Sequence, residues 1–128
     1  MHYMDENHRE RLLDCLEALG RVDPAGKVDA EYGSAYYVIT GNYAIWEKAR
    51  MHTYGNEVDF WDLIEKECLS SGEALIVRLA ANLFNGSYSN EVSPKALVNT
   101  LDSEHTLMAI QAIDILNAGS GLTISYFN

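Results

Sequence analysis

The residues best suited to metal binding or nucleophilic attack lie far apart along the chain. They are four histidines and two cysteines: His2, His8, His52, His105, Cys15 and Cys68. The histidines have neither the H-E-x-x-H spacing of zinc proteases nor a neighbouring pair of cysteines, so we predict no metal site. Each cysteine falls among apolar residues of a helical pattern, which favours a small buried hydrophobe over a disulfide or a thiol nucleophile.

Acid–base catalysis needs a carboxylate in a pocket that shifts its pKa. Asp62 and Glu65 are paired at helical spacing, but on an amphipathic helix such a pair usually belongs to a solvated face. The serines stand at helix starts and in loops, without the G-x-S-x-G turn of hydrolases. We therefore predict no catalytic residue and no cofactor, and the pattern favours a protein that is not an enzyme.

The segment from Leu69 to Gly86 opens with the letters LSSGE, which resemble the LSGGE signature of ABC-type ATPases. That signature acts only together with a phosphate-binding G-x-x-x-x-G-K-[ST] loop. The nearest fragment, Ala25 to Val28, has no Ser or Thr after its lysine and no earlier glycine at the required distance. We therefore interpret Ser70 as a helix cap and Glu73, three residues later, as its partner in a capping box.

The charge balance limits the partners. Nine basic residues against 19 acidic residues give a formal net charge of −10 at pH 7. Nonspecific affinity for nucleic acid comes from Lys and Arg, so we predict no direct binding of DNA or RNA. An acidic surface can attract a basic protein, but in most cytosolic proteins it only maintains solubility. Both interpretations of the charge stay open.

The N-terminal segment and the apolar runs of the sequence predict where the protein resides in the cell. The segment from Met1 to Glu6 lacks the basic and apolar regions of a signal peptide. No apolar run reaches the roughly 18 residues that a membrane-spanning helix needs. We expect a cytoplasmic protein that does not bind membranes.

Repeated helix caps predict the fold class. The cap residues, each followed by apolar residues at helical spacing, are Asn7, Asp29, Asn42, Asp59, Ser70, Ser93 and Asp102. They predict an all-α single domain over residues 1–128 with about seven short helices. The expected helices are His8 to Leu19, Ala30 to Thr40, Tyr43 to Met51, one after Asp59, Glu73 to Phe84, Pro94 to Leu101, and Ser103 to Asn117. Residues 119–128 are expected to form a tail with a short extended segment.

The helix from Glu73 to Phe84 is apolar nearly all round, so we expect it at the centre of the domain. Its polar interior positions are Arg78 and Asn82. Asp114 is the one charge between Leu107 and Leu116, in a second helix that we expect to be largely buried. Because an unpaired buried charge is costly, we hypothesise a buried ion pair between Arg78 and Asp114. The alternative is that both polar stripes face solvent.

Aromatic residues concentrate between Tyr32 and Trp61. Tyr and Trp are common in binding sites and equally common in the packing of small helical domains, so both interpretations remain. Tyr36 shares a helix face with Tyr32 and Ile39, so we expect Tyr37 to point elsewhere and to be exposed. The candidate recognition patch consists of Tyr37, Tyr43 and Tyr54.

Four blocks of helix starts and core faces cover most of the chain: Asn7 to Glu10, Asp29 to Tyr37, Leu69 to Gly86 and Leu101 to Ile113. Together they resemble a family of small, uncharacterised acidic helical proteins found in Gram-positive bacteria and their phages. The resemblance implies one helical domain, and it implies no known activity or catalytic residue. It does not extend to the tail from Gly119 to Asn128.

Two function classes follow. The favoured class is a non-enzymatic protein-binding or regulatory protein of phage or mobile-element origin, which acts through an acidic, aromatic surface on a host or defence protein; a basic protein is one possible partner. The alternative is a small enzyme or ligand-binding protein with a pocket between helices. A homo-oligomeric structural protein is a third class, and the sequence leaves the oligomeric state open.

Overall fold

The computed structural model of the chain describes residues 1–55, 57–85 and 92–128. The described residues form seven α-helices, so the predicted all-α fold is confirmed. The helices are α1 (His8–Ala18), α2 (Ala30–Gly41), α3 (Tyr43–Ala49), α4 (Phe60–Lys66), α5 (Ser71–Phe84), α6 (Pro94–Thr100) and α7 (Ser103–Ala118). Three 3₁₀ helices cover Arg50–His52, Gly119–Gly121 and Ile124–Phe127. Strands β1 (Thr53–Tyr54) and β2 (Glu57–Val58) form an antiparallel hairpin between the predicted third and fourth helices.

Side-chain caps begin six of these helices at the residues that the sequence indicates. The capping oxygens belong to Asp29, Asn42, Asp59, Ser70, Ser93 and Asp102. Ser70 and Glu73 form the predicted capping box in full. The cap expected at Asn7 is wrong, because the Asn7 side chain makes no capping bond to α1. Its backbone is helical, whereas a capping residue usually has an extended backbone.

Helix α2 is the centre of the domain. It contacts α1, α3, α5 and α7, and every residue from Gly33 to Gly41 is buried. A helix that is apolar all round belongs inside the core. The expectation that α5 is central is wrong, since α5 keeps Arg78 on the surface. The missing side chain of Gly33 lets the tail pack closely on α2: a Cβ there would lie 3.2 Å from Leu122 Cδ2.

The tail after α7 packs against the core. Leu122 and Phe127 are fully or almost fully buried. The backbone of Leu122 accepts a hydrogen bond from Val28 N–H at 3.0 Å, and Lys27 pairs with Thr123 in an isolated β-bridge. The expected extended segment is therefore limited to Leu122 and Thr123, because the chain turns into a 3₁₀ helix at Ile124.

Candidate functional site

A row of aliphatic side chains lies on the outer side of α7. Its opposite side is buried in the core through Met108, Ala109, Ala112 and Ile115. The outer residues are Leu107, Ile110 and Ile113, which are 47%, 58% and 52% exposed. Because they recur every three residues, they form one stripe along the helix. Contiguous exposed apolar surface of this kind typically marks an interaction site.

Acidic side chains flank this stripe. Glu104 lies one turn before Leu107, and Asp114 lies one turn after Ile110. Both carboxylates are on exposed residues, and α7 contains no Lys or Arg between Ser103 and Ala118. We call this surface the α7 face, defined by Glu104, Leu107, Ile110, Ile113 and Asp114. Its chemistry is apolar and anionic.

Hydrogen bonds from both ends of the chain hold α7 in place. Gln111 accepts a hydrogen bond from His2 N–H at 3.0 Å and donates one to Tyr126 Oη at 3.0 Å. The Tyr126 hydroxyl donates to Asp114. Burial, reinforced by this carboxylate, raises the pKa of Tyr126 to about 12. The phenol therefore keeps its proton at neutral pH and remains a donor to Asp114.

The start of α7 contains an Asp–His pair. Asp102 Oδ1 lies 2.8 Å from His105 Nδ1, and Asn42 Nδ2 lies 3.1 Å from His105 Nε2. An Asp–His pair can act as a general base only if the second ring nitrogen is free to take a proton. Here the Asn42 amide donates to that nitrogen. The arrangement joins the capping residues of α3 and α7, so its role is structural.

The three candidate tyrosines do not form one patch. Tyr37 is fully buried, so the expectation that it is exposed is wrong. It stacks on the His8 ring with the centroids 4.7 Å apart, and its hydroxyl donates to His2 O at 2.6 Å. Tyr43 is 58% exposed, as a recognition residue would be, with the Arg11 guanidinium 5.6 Å from its ring centroid. The side chain of Tyr54 lies outside the described part of the structure.

The hypothesised buried pair of Arg78 and Asp114 is also wrong. Both residues are exposed, and no ion pair or hydrogen bond joins them in the part of the chain that the structure describes. Arg78 faces a groove between α5 and α6 with Asn82, while Asp114 accepts its bond from Tyr126. Exposed charges need no buried partner, so each polar stripe faces solvent.

A cleft of about 400 Å³ lies between α1, α3 and the hairpin. Arg11, Trp46 and Arg50 line it, with Asp14 and Cys15 on α1. Burial raises the pKa of the Cys15 thiol to about 12, so the sulfur remains protonated and is a poor nucleophile. Both cysteines are free thiols. Cys68 is exposed, however, which contradicts its interpretation as a buried hydrophobe.

Neither similarity to known proteins nor a cluster of metal ligands among the described residues indicates a function for this chain. No family model, curated protein or solved structure matches this chain. Among residues 1–55, 57–85 and 92–128, no three His, Cys, Asp or Glu side chains stand close enough to hold a metal ion. Within the same ranges, no helix has both the length and the apolar character that a bilayer crossing requires.

The sequence contains a signal for the α7 face. Leu107, Ile110 and Ile113 belong to a helix that is apolar along most of its length, which predicts that they are buried. Yet these positions lie on the side opposite Met108 and Ala112. A helix that packs with one side against the core cannot bury both sets, and its one acidic interior position, Asp114, marks the exposed side.

Proposed function

We propose that this chain is a non-enzymatic protein-binding protein whose α7 face binds a basic, amphipathic helical segment of another protein. The observation that carries the proposal is the exposed stripe of Leu107, Ile110 and Ile113 between two carboxylates. An apolar ridge on the partner would pack against the stripe. Lys or Arg beside that ridge would face Glu104 and Asp114. This is the pairing of two helices through their apolar faces.

Charge complementarity selects the partner. The net charge of −10 attracts a basic protein over long range and raises its association rate at low salt. A second copy of this chain would bring a second charge of −10 to the same surface. Three aliphatic side chains also provide a small contact area, which is typical of a transient complex. A basic partner therefore fits this face better than self-association.

The resemblance to proteins of Gram-positive bacteria and their phages stays a prediction. With a phage or mobile-element origin, the partner would be a protein of the host, and binding would regulate it. Tyr43 supplies an exposed aromatic side chain beyond the α7 face. It follows Asn42, whose amide bonds to His105 in the first turn of α7.

Substitution of Ile110 by serine should weaken binding to a basic amphipathic helix about tenfold, because the variant loses most of one buried aliphatic side chain at the interface. The probe is a synthetic helical peptide of Leu and Lys, compared with a Leu and Glu peptide of the same pattern. Affinity is measured by calorimetry at low salt and at about 0.15 M salt, where exposed charges are screened beyond roughly 8 Å. Met51→Ser is the matched control, since Met51 is 76% exposed and lies away from α7 in the 3₁₀ helix Arg50–His52.

The proposal requires three results together. The Leu and Lys peptide must bind the wild-type protein, and added salt must weaken that binding. Ile110→Ser must lower the affinity for this peptide, whereas Met51→Ser must leave it unchanged. Equal binding of the Leu and Glu peptide would contradict a basic partner. The proposal would also be contradicted if the wild-type protein sedimented as a dimer and Ile110→Ser as a monomer, because the α7 face would then bind a second copy of this chain. In capture experiments from a host lysate, a protein that binds wild type and Met51→Ser but not Ile110→Ser would be identified as the partner.

The cleft between α1 and α3 favours a second candidate function, the binding of a small aromatic anion. Its volume of about 400 Å³ lies within the range of ligand pockets, and it combines the Trp46 indole with Arg50. Benzoate should quench Trp46 fluorescence saturably in a Trp61→Phe background, and neutral benzamide should not. Arg50→Gln should weaken benzoate binding several-fold. Equal effects of benzoate and benzamide would exclude recognition by the arginines.

A further inference from the structure

A second cavity, of about 240 Å³, lies between β2, the start of α4 and the end of α5. Its walls are aromatic: Tyr36, Phe60, Trp61 and Phe84. The ring centroids of Tyr36 and Phe60 are 6.2 Å apart, and those of Phe60 and Phe84 are 5.6 Å apart. The Tyr36 side chain is held by β2, because its hydroxyl accepts a hydrogen bond from Val58 N–H at 2.9 Å. The buried Tyr36 thus lies on the inner side of the cavity, and the exposed Trp61 bounds it outside.

Two carboxylates line the same cavity, and none of its described lining residues is a Lys or an Arg. Glu57 is exposed at its rim. Asp59 uses Oδ1 to cap α4 at Asp62 N–H, at 2.9 Å, and among the described residues none donates to its second oxygen. The faces of aromatic rings carry negative potential, so rings and carboxylates together favour a cation.

The chain's own Arg21 shows which cation suits this cluster. Its guanidinium carbon lies 3.8 Å from the ring centroid of Tyr32, and Nη2 donates to Tyr32 Oη at 2.7 Å. The same nitrogen is 3.6 Å from Glu57 Oε1. Tyr32 in turn stacks on Tyr36 and meets Phe84 edge to face, with centroids 5.9 and 4.9 Å away. A guanidinium therefore already lies on one side of the aromatic cluster that walls the cavity.

We propose that the cavity binds the guanidinium of an arginine side chain from another protein. A planar guanidinium can stack on an aromatic face and donate to a carboxylate at once, whereas a lysine ammonium has no plane to stack. The volume is below that of pockets for drug-sized ligands, which start at about 300 Å³, and suits a single side chain. The arginine of the partner would lie between Trp61 and Phe84, with Asp59 and Glu57 as acceptors, although Glu57 Oε1 also accepts from the Tyr32 hydroxyl.

Fluorescence of Trp61 provides the test, in a Trp46→Phe background where Trp61 is the only tryptophan. The probes are N-acetyl-arginine amide and the neutral, nearly isosteric N-acetyl-citrulline amide, both at constant ionic strength. We expect a saturable change with arginine and at least tenfold weaker binding of citrulline. N-acetyl-lysine amide should bind several-fold more weakly than arginine. Since no protein partner is present and the α7 face is not involved, Ile110→Ser should bind the arginine probe like wild type.

Matched variants separate this site from the general charge of the protein. Asp59→Asn keeps the helix cap and removes the charge, and it should weaken arginine binding about fivefold, as the loss of about 1 kcal/mol implies. Glu17→Gln, on the exposed side of α1, removes the same charge elsewhere and should change binding less than twofold. Circular dichroism checks that each variant is folded. The proposal is overturned if citrulline binds as well as arginine, if no saturation occurs, or if Glu17→Gln and Asp59→Asn weaken binding equally.

Discussion

Replacement of Gly41 by alanine should lower the free energy of unfolding by about 3 kcal/mol. Gly41 ends α2 where α1 and α7 meet it, and its added Cβ would lie 2.5 Å from Met108 Sδ and 2.8 Å from His8 Cε1. Overfilling of a packed core typically costs about 1–3 kcal/mol. We expect the upper end, because the His8 ring cannot move without losing its hydrogen bond to Tyr37 O at 2.8 Å. Urea denaturation measures the loss.

Gly72→Ala is the control for this substitution. Gly72 lies in the first turn of α5, and no atom beyond its own helix and chain neighbours lies within 4 Å of its added Cβ. Alanine favours the helix, so this variant should be unchanged or more stable by up to about 1 kcal/mol. If Gly41→Ala behaves like Gly72→Ala, then His8 and Met108 are not packed as tightly on α2 as these contacts indicate.

The buried imidazole of His8 should make the protein less stable in acid by about 3 kcal/mol. Its Nε2–H donates to Tyr37 O, and its Nδ1 accepts from Met4 N–H at 3.1 Å, so both nitrogens are used in the neutral form. Burial lowers its pKa from 6.5 to about 4, and the nearby Arg11 charge acts in the same direction. Between these two values the unfolded chain binds a proton that the folded chain does not. Stability therefore falls as the pH drops from about 6.5 to about 4, and this contribution levels off below.

Two measurements test the role of His8. In NMR titrations the His8 ring should titrate near pH 4. In urea denaturation, His8→Gln should be less stable than wild type near neutral pH but should lose less stability on acidification, by about 3 kcal/mol. A midpoint near the usual value of about 6.5, or the same acid sensitivity in both proteins, would contradict a buried neutral imidazole.

The helix boundaries could be predicted because their causes are local. Ser70 and Glu73 are three residues apart, and so are Asp102 and the backbone N–H of His105 that it caps. Such bonds depend on the residue types and their spacing and on nothing distant in the chain. Asn7 shows the limit of this reasoning, since its backbone leaves the extended conformation that capping needs.

Residue type and spacing by themselves determined the all-α class, six of the capped helix starts and the net charge of −10. The tertiary structure alone decided which apolar surfaces are covered. Tyr37 is buried because α2 is surrounded on all sides, whereas Ile110 is exposed because only one side of α7 meets the core. The cavity lined by Tyr36, Phe60, Trp61 and Phe84 likewise combines residues from α2, the hairpin, α4 and α5. Helical periodicity states which residues share a face, but the packing of helices against one another decides which face meets water.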